Sequence, residues 1–185
     1  MALSPRRYTS VEQLRAQAPE YDVYVAGSDQ IWDPYIFADR QFDPAFLLDF
    51  GGAVRRIAYA PSLGVPTLPE DKAAELKRYL APFSALSVRE KRGQVLLREA
   101  AGRDARVVLD PTLLLNGEDW GALANPTRRT GPYILCYFVS DPGEAAPYAL
   151  ALSRKTGWPI VQLAGARRKI EGASELVFDA GPREF

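Results

Sequence analysis

Residues 21–32 read Tyr-Asp-Val-Tyr-Val-Ala-Gly-Ser-Asp-Gln-Ile-Trp, an apolar run that changes at a glycine into a polar turn. The first half is rich in β-branched and aromatic residues, which favours a buried strand over Tyr21–Ala26. Three further strands are predicted, at Arg56–Ala60, Ala85–Val88 and Arg106–Leu109. Because helical segments separate most of these strands, the order indicates βαβ units and a parallel sheet covered on both faces.

The helices between the strands are predicted from their caps and their spacing. A capping box precedes Val11–Ala18, and a second one at Thr67–Glu70 predicts a helix that runs to Leu80. Glu90–Ala101 has helical spacing and is followed by Gly102, which suits a left-handed C-terminal cap. These helices complete a Rossmann-like α/β pattern in the first part of the chain.

The same order of elements starts again after a proline-rich linker at residues 126–132. A strand, a helix and a strand are predicted there, over Tyr133–Val139, Glu144–Thr156 and Pro159–Leu163. We therefore predict an α/β fold with a first Rossmann-like domain over residues 1–125 and the start of a second over residues 131–185. Both domains are expected to be incomplete.

Composition excludes several classes of function. The chain has 185 residues, of which 47% are hydrophobic, and its 23 basic and 23 acidic side chains balance. A balanced charge argues against a general nucleic-acid binder. The chain has no histidine, which excludes a Ser-His-Asp triad and a histidine-ligated metal site within these residues. Cys136 lies in an apolar run and is expected to be a small buried hydrophobe rather than a nucleophile.

Common cofactor and targeting motifs are also missing from these residues. The chain contains no G-x-G-x-x-G, no G-x-x-x-x-G-K and no C-x-x-C, so nicotinamide and ATP sites have no support, and no metal site is expected. The first residues lack the apolar segment of a signal peptide, and no stretch reaches 18 apolar residues. We expect a cytoplasmic protein.

Polar side chains follow each predicted strand of the first domain. In an open parallel sheet, ligands bind outside the carboxyl ends of the strands, so these residues are the site candidates. The candidates are Ser28, Asp29, Gln30 and Trp32 after the first strand, Ser62 after the second, Arg89 and Glu90 after the third, and Asp110 after the fourth.

Structural roles compete with these assignments. Ser28 and Asp29 could form an Asx-type turn, and Asp110 before a proline could simply start a turn. Arg89 could pair with a carboxylate on the rim. Trp32 could pack in the core instead of offering a face to a sugar.

Taken in order, the motifs resemble those of the polysaccharide pyruvyl transferases. Gly27-Ser-Asp-Gln-Ile-Trp32 resembles the family's G-S-D-Q-x-W, and Ile57-Ala-Tyr-Ala-Pro-Ser-Leu-Gly64 resembles its I-A-Y-A-x-S-x-G. Ser87-Val-Arg-Glu90 resembles S-V-R-E. Weaker correspondences lie at Phe46–Phe50, Val108–Leu115 with Trp120, and Gly181–Phe185.

The resemblance implies a fold similar to the two-domain GT-B glycosyltransferases and transfer of pyruvate from phosphoenolpyruvate to a sugar. By this resemblance Arg89 is the anion clamp, oriented by Glu90, and Asp29 is the acid or base. Ser28 and Gln30 line the cleft, and Asp110 braces the turn between the domains. Phosphoenolpyruvate is the donor substrate, and no cofactor is implied.

Two family features have no counterpart in this sequence. No N-Y-G-A-x-L-Q-like turn precedes Tyr21, and the histidine of an S-F-H-G-like motif is absent. We therefore expect a chain shortened at both ends relative to the family, with little or no activity alone.

Two other functions stay open: a nucleotide-sugar glycosyltransferase of GT-B type, and a non-catalytic domain that binds a sugar or a partner chain. Expected partners are a small-molecule donor and a saccharide acceptor, with no nucleic acid. Peripheral association with a lipid-linked glycan is a further expectation. An unfinished second domain would also expose apolar surface through which copies could associate.

Overall fold

The computed structural model describes residues 4, 6–125, 129–139, 141–164, 169–178, 180, 181, 183 and 184. The chain divides into two compact units, Met1–Leu115 and Asn116–Phe185. This division falls before the linker predicted at residues 126–132, of which 126–128 lie outside the described residues. Pro182 and Phe185 of the last family-like motif lie outside them too. The predicted domain boundaries stay a prediction.

In the described part of the chain, the first unit contains three α-helices and five strands that pair in parallel. Its elements are α1 over Val11–Ala16, β1 over Val23–Ala26, β2 over Arg55–Ala58, α2 over Glu70–Leu80, β3 over Phe83–Ala85, β4 over Ser87–Val88, α3 over Lys91–Ala101, β5 over Arg106–Val107 and a short 3-10 helix over Pro111–Leu113. The strands β1, β2 and β3 form one parallel sheet in that order, and β4 pairs with β5 in a second.

Side chains alternate across the first sheet as the pleat requires. Tyr24 and Ala26 of β1 are buried, whereas the alternate residues Val23 and Val25 are exposed. Tyr24 lies opposite Arg56 of β2 in the parallel register. The buried face packs on a core that includes Trp32, Leu47, Leu63, Leu76, Leu80 and Leu97, all fully buried. Burial of each leucine contributes about 1.5–3 kcal/mol.

Two predicted boundaries in the first unit are wrong. The strand predicted over Ala85–Val88 is two short strands, because β3 pairs with β2 whereas β4 pairs with β5. The capping box at Thr67–Glu70 does not form; α2 begins at Glu70, with Pro69 at its cap and no side-chain cap hydrogen bond. Because a proline disfavours the helical conformation of the residue before it, Leu68 cannot join the helix.

Other predicted elements of the first unit are confirmed within a few residues. Ser10 caps α1 by accepting a hydrogen bond from the Gln13 amide. Gly102 ends α3 in the left-handed conformation, with φ of 64°. The long segment between β1 and β2 is irregular, with hydrogen-bonded turns near Pro44–Leu48.

The second unit contains a smaller parallel sheet. Its elements are α4 over Gly117–Leu123, β6 over Ile134–Tyr137, α5 over Ala145–Thr156, β7 over Ile160–Ala164 and β8 over Glu175–Phe178. The strands pair in the order β6, β7, β8, and Gly157 ends α5 with φ of 73°. The sequence interpretation did not include α4 or β8. The start of α4 is hard to recognise in the sequence, because its capping box is formed by Asn116 and Asp119 instead of the commoner Ser/Thr and Glu/Gln pair.

Parallel strands and helices in both units confirm the predicted α/β, Rossmann-like class.

The second unit has exposed apolar side chains at every second position in β6 and just after it. They are Leu135, Tyr137 and Val139. Among the helices that the structure describes, none combines the length and the apolar character needed to cross a membrane.

Candidate active site

The site candidates meet at the carboxyl edge of the first unit's strands. Gly27 follows β1 directly and has φ of 135°, a conformation that side chains rarely adopt. A Cβ added there would lie 1.9 Å from the carbonyl oxygen of Tyr59. Only glycine therefore allows the chain after β1 to pass this close to the chain after β2.

Backbone hydrogen bonds join the two segments that follow β1 and β2. The Tyr59 amide donates to the Ala26 carbonyl at 2.8 Å, the Ser62 amide donates to the Asp29 carbonyl at 2.7 Å, and the Trp32 amide donates to the Ser62 carbonyl at 3.2 Å. Because these peptide groups satisfy one another, the polar turn has a fixed backbone although much of it faces solvent.

Trp32 and Ser62 are structural parts of this turn. Trp32 is fully buried, packs edge-on against the Phe83 ring, and donates its indole N–H to the Phe46 carbonyl at 3.3 Å. Its ring has no exposed face for a sugar, so the packing alternative applies. Ser62 is buried, and its hydroxyl accepts a hydrogen bond from the Gly64 amide at 3.1 Å. Neither side chain is placed to touch a substrate.

Arg89 is the centre of the charged cluster at this edge. Its Nη1 donates to Oδ2 of Asp110 at 2.7 Å, and its Nη2 donates to Oδ1 of Asp29 at 3.1 Å. The Nε atom lies 3.8 Å from a carboxylate oxygen of Glu90. One positive side chain therefore faces three carboxylates that come from three different strand ends.

Asp110 is held from several directions. Its Oδ1 accepts hydrogen bonds from the Thr112 amide at 3.1 Å and the Thr112 hydroxyl at 2.8 Å. The Arg89 guanidinium, followed by these Thr112 donors, holds the pKa of Asp110 well below its usual range. The hydrogen bond from Arg89 to Asp110 raises the pKa of Arg89 in turn. Oδ1 of Asp110 thus fixes the turn that begins there, and Oδ2 pairs with Arg89.

Ser28 connects the turn to the cluster. Its hydroxyl lies 2.8 Å from the Ala60 carbonyl oxygen and 3.0 Å from Oδ2 of Asp110. The hydroxyl has one proton, so it donates to one of these two acceptors at a time. Gln30 is exposed beside it. The structure therefore brings Ser28, Asp29, Arg89, Glu90 and Asp110 together, with Gln30 close in the same turn.

A family model of the polysaccharide pyruvyl transferases matches residues 2–183 of the 185 residues. The chain belongs to the polysaccharide pyruvyl transferase family. It is a transferase by this membership, and the family implies a sugar as acceptor. Searches of curated proteins and of solved structures give no match.

Two contributors to this charged cluster were not among the predicted residues. Thr112 fixes Asp110, and its position two residues after an aspartate is the spacing of an Asx turn. Ser87 is buried, donates to the Ala58 carbonyl at 2.9 Å and accepts from the Ala60 amide at 3.1 Å. Ser87 therefore fixes Ala60, whose carbonyl faces Ser28. Only the folded structure, which brings Ser87 of β4 beside the segment after β2, reveals that second contact.

A cavity of about 560 Å³ lies at the opposite edge of the pyruvyl transferase's first sheet, where β1 and β2 begin. Arg15, Tyr21, Tyr24 and Gly51 are among its lining residues, and no member of the Arg89 cluster lines it. The cluster is thus on an open edge, away from this cavity. Within the described ranges of the chain, no group of three or more cysteine, aspartate or glutamate side chains could hold a metal ion.

Proposed function

We propose that this polysaccharide pyruvyl transferase moves pyruvate from phosphoenolpyruvate to two hydroxyls of one sugar, forming a ketal in cell-wall or exopolysaccharide synthesis. The observation that carries the proposal is the Arg89 cluster at the carboxyl edge, in a chain that matches the family over residues 2–183. The donor presents a carboxylate and a phosphate, and an arginine guanidinium forms charge-assisted hydrogen bonds to either group.

Arg89 is proposed to hold the anionic end of the donor. The Arg89 side chain is 26% exposed, so part of the guanidinium faces solvent although it is paired. Asp110 fixes it from the protein side through Nη1, and Glu90 lies beside Nε. Because the guanidinium is already held in one orientation, ligand binding loses less side-chain conformational entropy.

The proposed transfer forms two bonds from C2 of the donor to sugar oxygens and breaks the bond from C2 to the phosphate oxygen. One sugar hydroxyl attacks C2 of the donor while C3 takes up a proton, so the methylene becomes a methyl group. The second hydroxyl then bonds to C2 as the bond from C2 to the phosphate oxygen breaks. Two hydroxyl protons are released, and one proton ends on the methyl group and one with the phosphate. Asp29 is the proposed proton carrier, because its side chain is 82% exposed beside Arg89.

The rest of the turn supports the acceptor in this proposal. Ser28 and Gln30 present a hydroxyl and an amide next to Asp29, which suits hydrogen bonds to sugar hydroxyls. No cofactor takes part in the proposed reaction beyond the donor itself. The acceptor is proposed to be a saccharide, with peripheral association of the protein with a lipid-linked glycan, and the reaction is proposed to take place in the cytoplasm.

This chain alone is proposed to have little or no activity. The chain has no histidine, and the resemblance implies that the family uses one in donor binding or catalysis. Copies are proposed to associate through the exposed face formed by Leu135, Tyr137 and Val139.

The first test is the melting temperature of the purified chain with and without millimolar phosphoenolpyruvate. We expect a rise with phosphoenolpyruvate and none with a nucleotide sugar, because a ligand that binds only the folded state stabilises it. Arg89→Gln is the control variant and should abolish the rise. A rise with the nucleotide sugar alone would favour a glycosyltransferase and contradict the proposal.

A further inference from the structure

The charge of the Arg89 cluster conflicts with the binding of an anion. Asp29, Glu90 and Asp110 surround one guanidinium, so three negative formal charges face one positive charge. An anionic ligand that approached this arrangement unchanged would be repelled. A ligand can therefore pair with Arg89 only if one carboxylate leaves it.

Asp110 is not the carboxylate that leaves. It is 21% exposed, and both of its oxygens accept hydrogen bonds, from Arg89 on one side and from Thr112 on the other. If the Asp110 carboxylate moved away, those donors would lose their acceptor. The free-energy cost of the unpaired donors exceeds the net free energy that the hydrogen bonds contribute.

Asp29 differs from Asp110 in each of these respects. Its side chain is 82% exposed, and in the described part of the chain the contact recorded for its carboxylate is the one with Nη2 of Arg89. Its backbone is fixed independently, because its carbonyl accepts from the Ser62 amide. The carboxylate can therefore swing away without disturbing the turn, and water replaces the lost hydrogen bond.

We propose that Asp29 occupies, in the free protein, the position on Arg89 that an anionic group of the ligand takes, and that binding exchanges one carboxylate partner for the other. This inference rests on the proposed function, because the ligand concerned is its donor. Nη1 of Arg89 stays on Asp110 throughout, and Nη2 changes partner from Asp29 to the carboxylate or phosphate of the ligand. Arg89 has the same number of anionic partners before and after binding. The ligand therefore adds no further negative charge to the cluster around the guanidinium.

The exchange also determines when the Asp29 carboxylate can take part in proton transfer. While it is paired with Arg89, its carboxylate is a counter-ion and points at the guanidinium. Once displaced, it stands beside the bound donor with both oxygens free for proton transfer. Arrival of the donor thus releases the group that the proposed reaction needs, and an empty site keeps that group occupied.

The test compares the affinities of three proteins for two anions. Asp29→Asn removes the competing charge, and asparagine tolerates the left-handed backbone of this position, where φ is 67°. Asp104→Asn is the matched control, because Asp104 is an 86% exposed aspartate paired with an arginine, Arg98, at 3.0 Å. It lies before β5, at the other edge of its sheet. The probes are phosphoenolpyruvate and inorganic phosphate, titrated by calorimetry at low salt.

We expect Asp29→Asn to bind both anions about two- to fivefold more tightly than the wild type, as suits removal of an exposed ion pair. Asp104→Asn should bind as the wild type does. The gain should shrink as the salt concentration rises, because exposed charges are screened.

The outcomes separate this inference from the proposed function. Tighter phosphate binding by Asp29→Asn, without phosphoenolpyruvate binding to any of the three proteins, keeps the exchange and overturns the donor assignment. Unchanged or weaker binding of both anions by Asp29→Asn overturns the exchange and leaves the donor assignment standing. An equal gain in Asp104→Asn, or no binding of either anion to any protein, also overturns the exchange.

Discussion

The apolar core around Trp32 and the charged cluster around Arg89 lie on two sides of the same turn and are held by different forces. Trp32 is fully buried against Phe83, whereas the Asp29 side chain, three residues earlier, is 82% exposed. Burial of apolar area supplies stability, but exposed ion pairs supply little. The comparison teaches that burial of the core fixes the backbone of the turn, whereas the exposed Asp29 carboxylate contributes little to stability.

Removal of the core anchor should have the largest effect on stability. We expect Trp32→Ala to lower the free energy of unfolding by about 3–5 kcal/mol, because it leaves a large cavity beneath the turn. Trp120→Ala is the matched control, since Trp120 is 43% exposed, and its effect should be much smaller. Denaturant unfolding followed by circular dichroism measures both without relying on tryptophan fluorescence. Similar losses in the two variants would contradict the contrast between core and surface.

The close approach at Gly27 should give the next largest effect. We expect Gly27→Ala to destabilise the protein by about 1–3 kcal/mol beyond the strain of its positive φ, because its new Cβ would meet the Tyr59 carbonyl. Gly52→Ala is the control: φ there is 59°, and no atom lies within 4 Å of the added Cβ. It should show only the backbone strain of about 1–2 kcal/mol. If Gly27→Ala proved no worse than Gly52→Ala, the crowding at Tyr59 would not limit the turn.

Asp110, the fixed carboxylate of the cluster, should have an intermediate, pH-dependent effect. Its folded pKa is depressed by Arg89, so its contribution to stability is present above the unfolded pKa of about 3.9 and is lost as the pH falls below that value. We expect Asp110→Asn to lower the melting temperature at pH 7 by about 2–4 °C. It should also flatten the fall in melting temperature between about pH 4 and pH 2. Asp104→Asn should keep the wild-type acid slope, and parallel profiles for all three proteins would contradict this role of Asp110.

The exposed end of the cluster should have the smallest effect on stability. We expect Asp29→Asn to change the free energy of unfolding by no more than about 0.5 kcal/mol, because its carboxylate is largely solvated. Asp29→Ala should be less stable than Asp29→Asn, since alanine suits the positive φ less well. A thermal melt of both variants checks the order. A large loss in Asp29→Asn would mean that Asp29 belongs with the core and not with the exchangeable charges.

Local chemistry explains why much of the fold could be predicted. β-Branched and aromatic residues such as those of Tyr21–Ala26 favour a strand, and a glycine such as Gly102 suits the left-handed position that ends a helix. The same logic failed at Thr67, where the pattern of a cap was present but Pro69 excluded the helical conformation of its neighbour. It also merged β3 and β4, because no local property shows that Ala85 and Ser87 pair with different strands.

The site was predictable as a set of strand ends, since every parallel strand delivers its following residues to one edge. The same rule could not separate ligand-facing side chains from buried ones, and it counted Trp32 and Ser62 with the exposed Asp29. Both buried residues follow their strands as closely as the exposed ones do. Burial depends on which loop crosses above a residue, and neighbouring residues in the sequence do not report that.

The sequence by itself determined the α/β class, the glycine that opens the polar turn and the residue types at the strand ends, because these follow from backbone sterics and from the period of apolar residues. Tertiary structure alone decided that Arg89 meets Asp29 from 60 positions away and Asp110 from 21. Charges act over distances in space and not along the chain. For that reason, which carboxylate is fixed and which is exposed could be settled only once the strand ends had been brought to one edge.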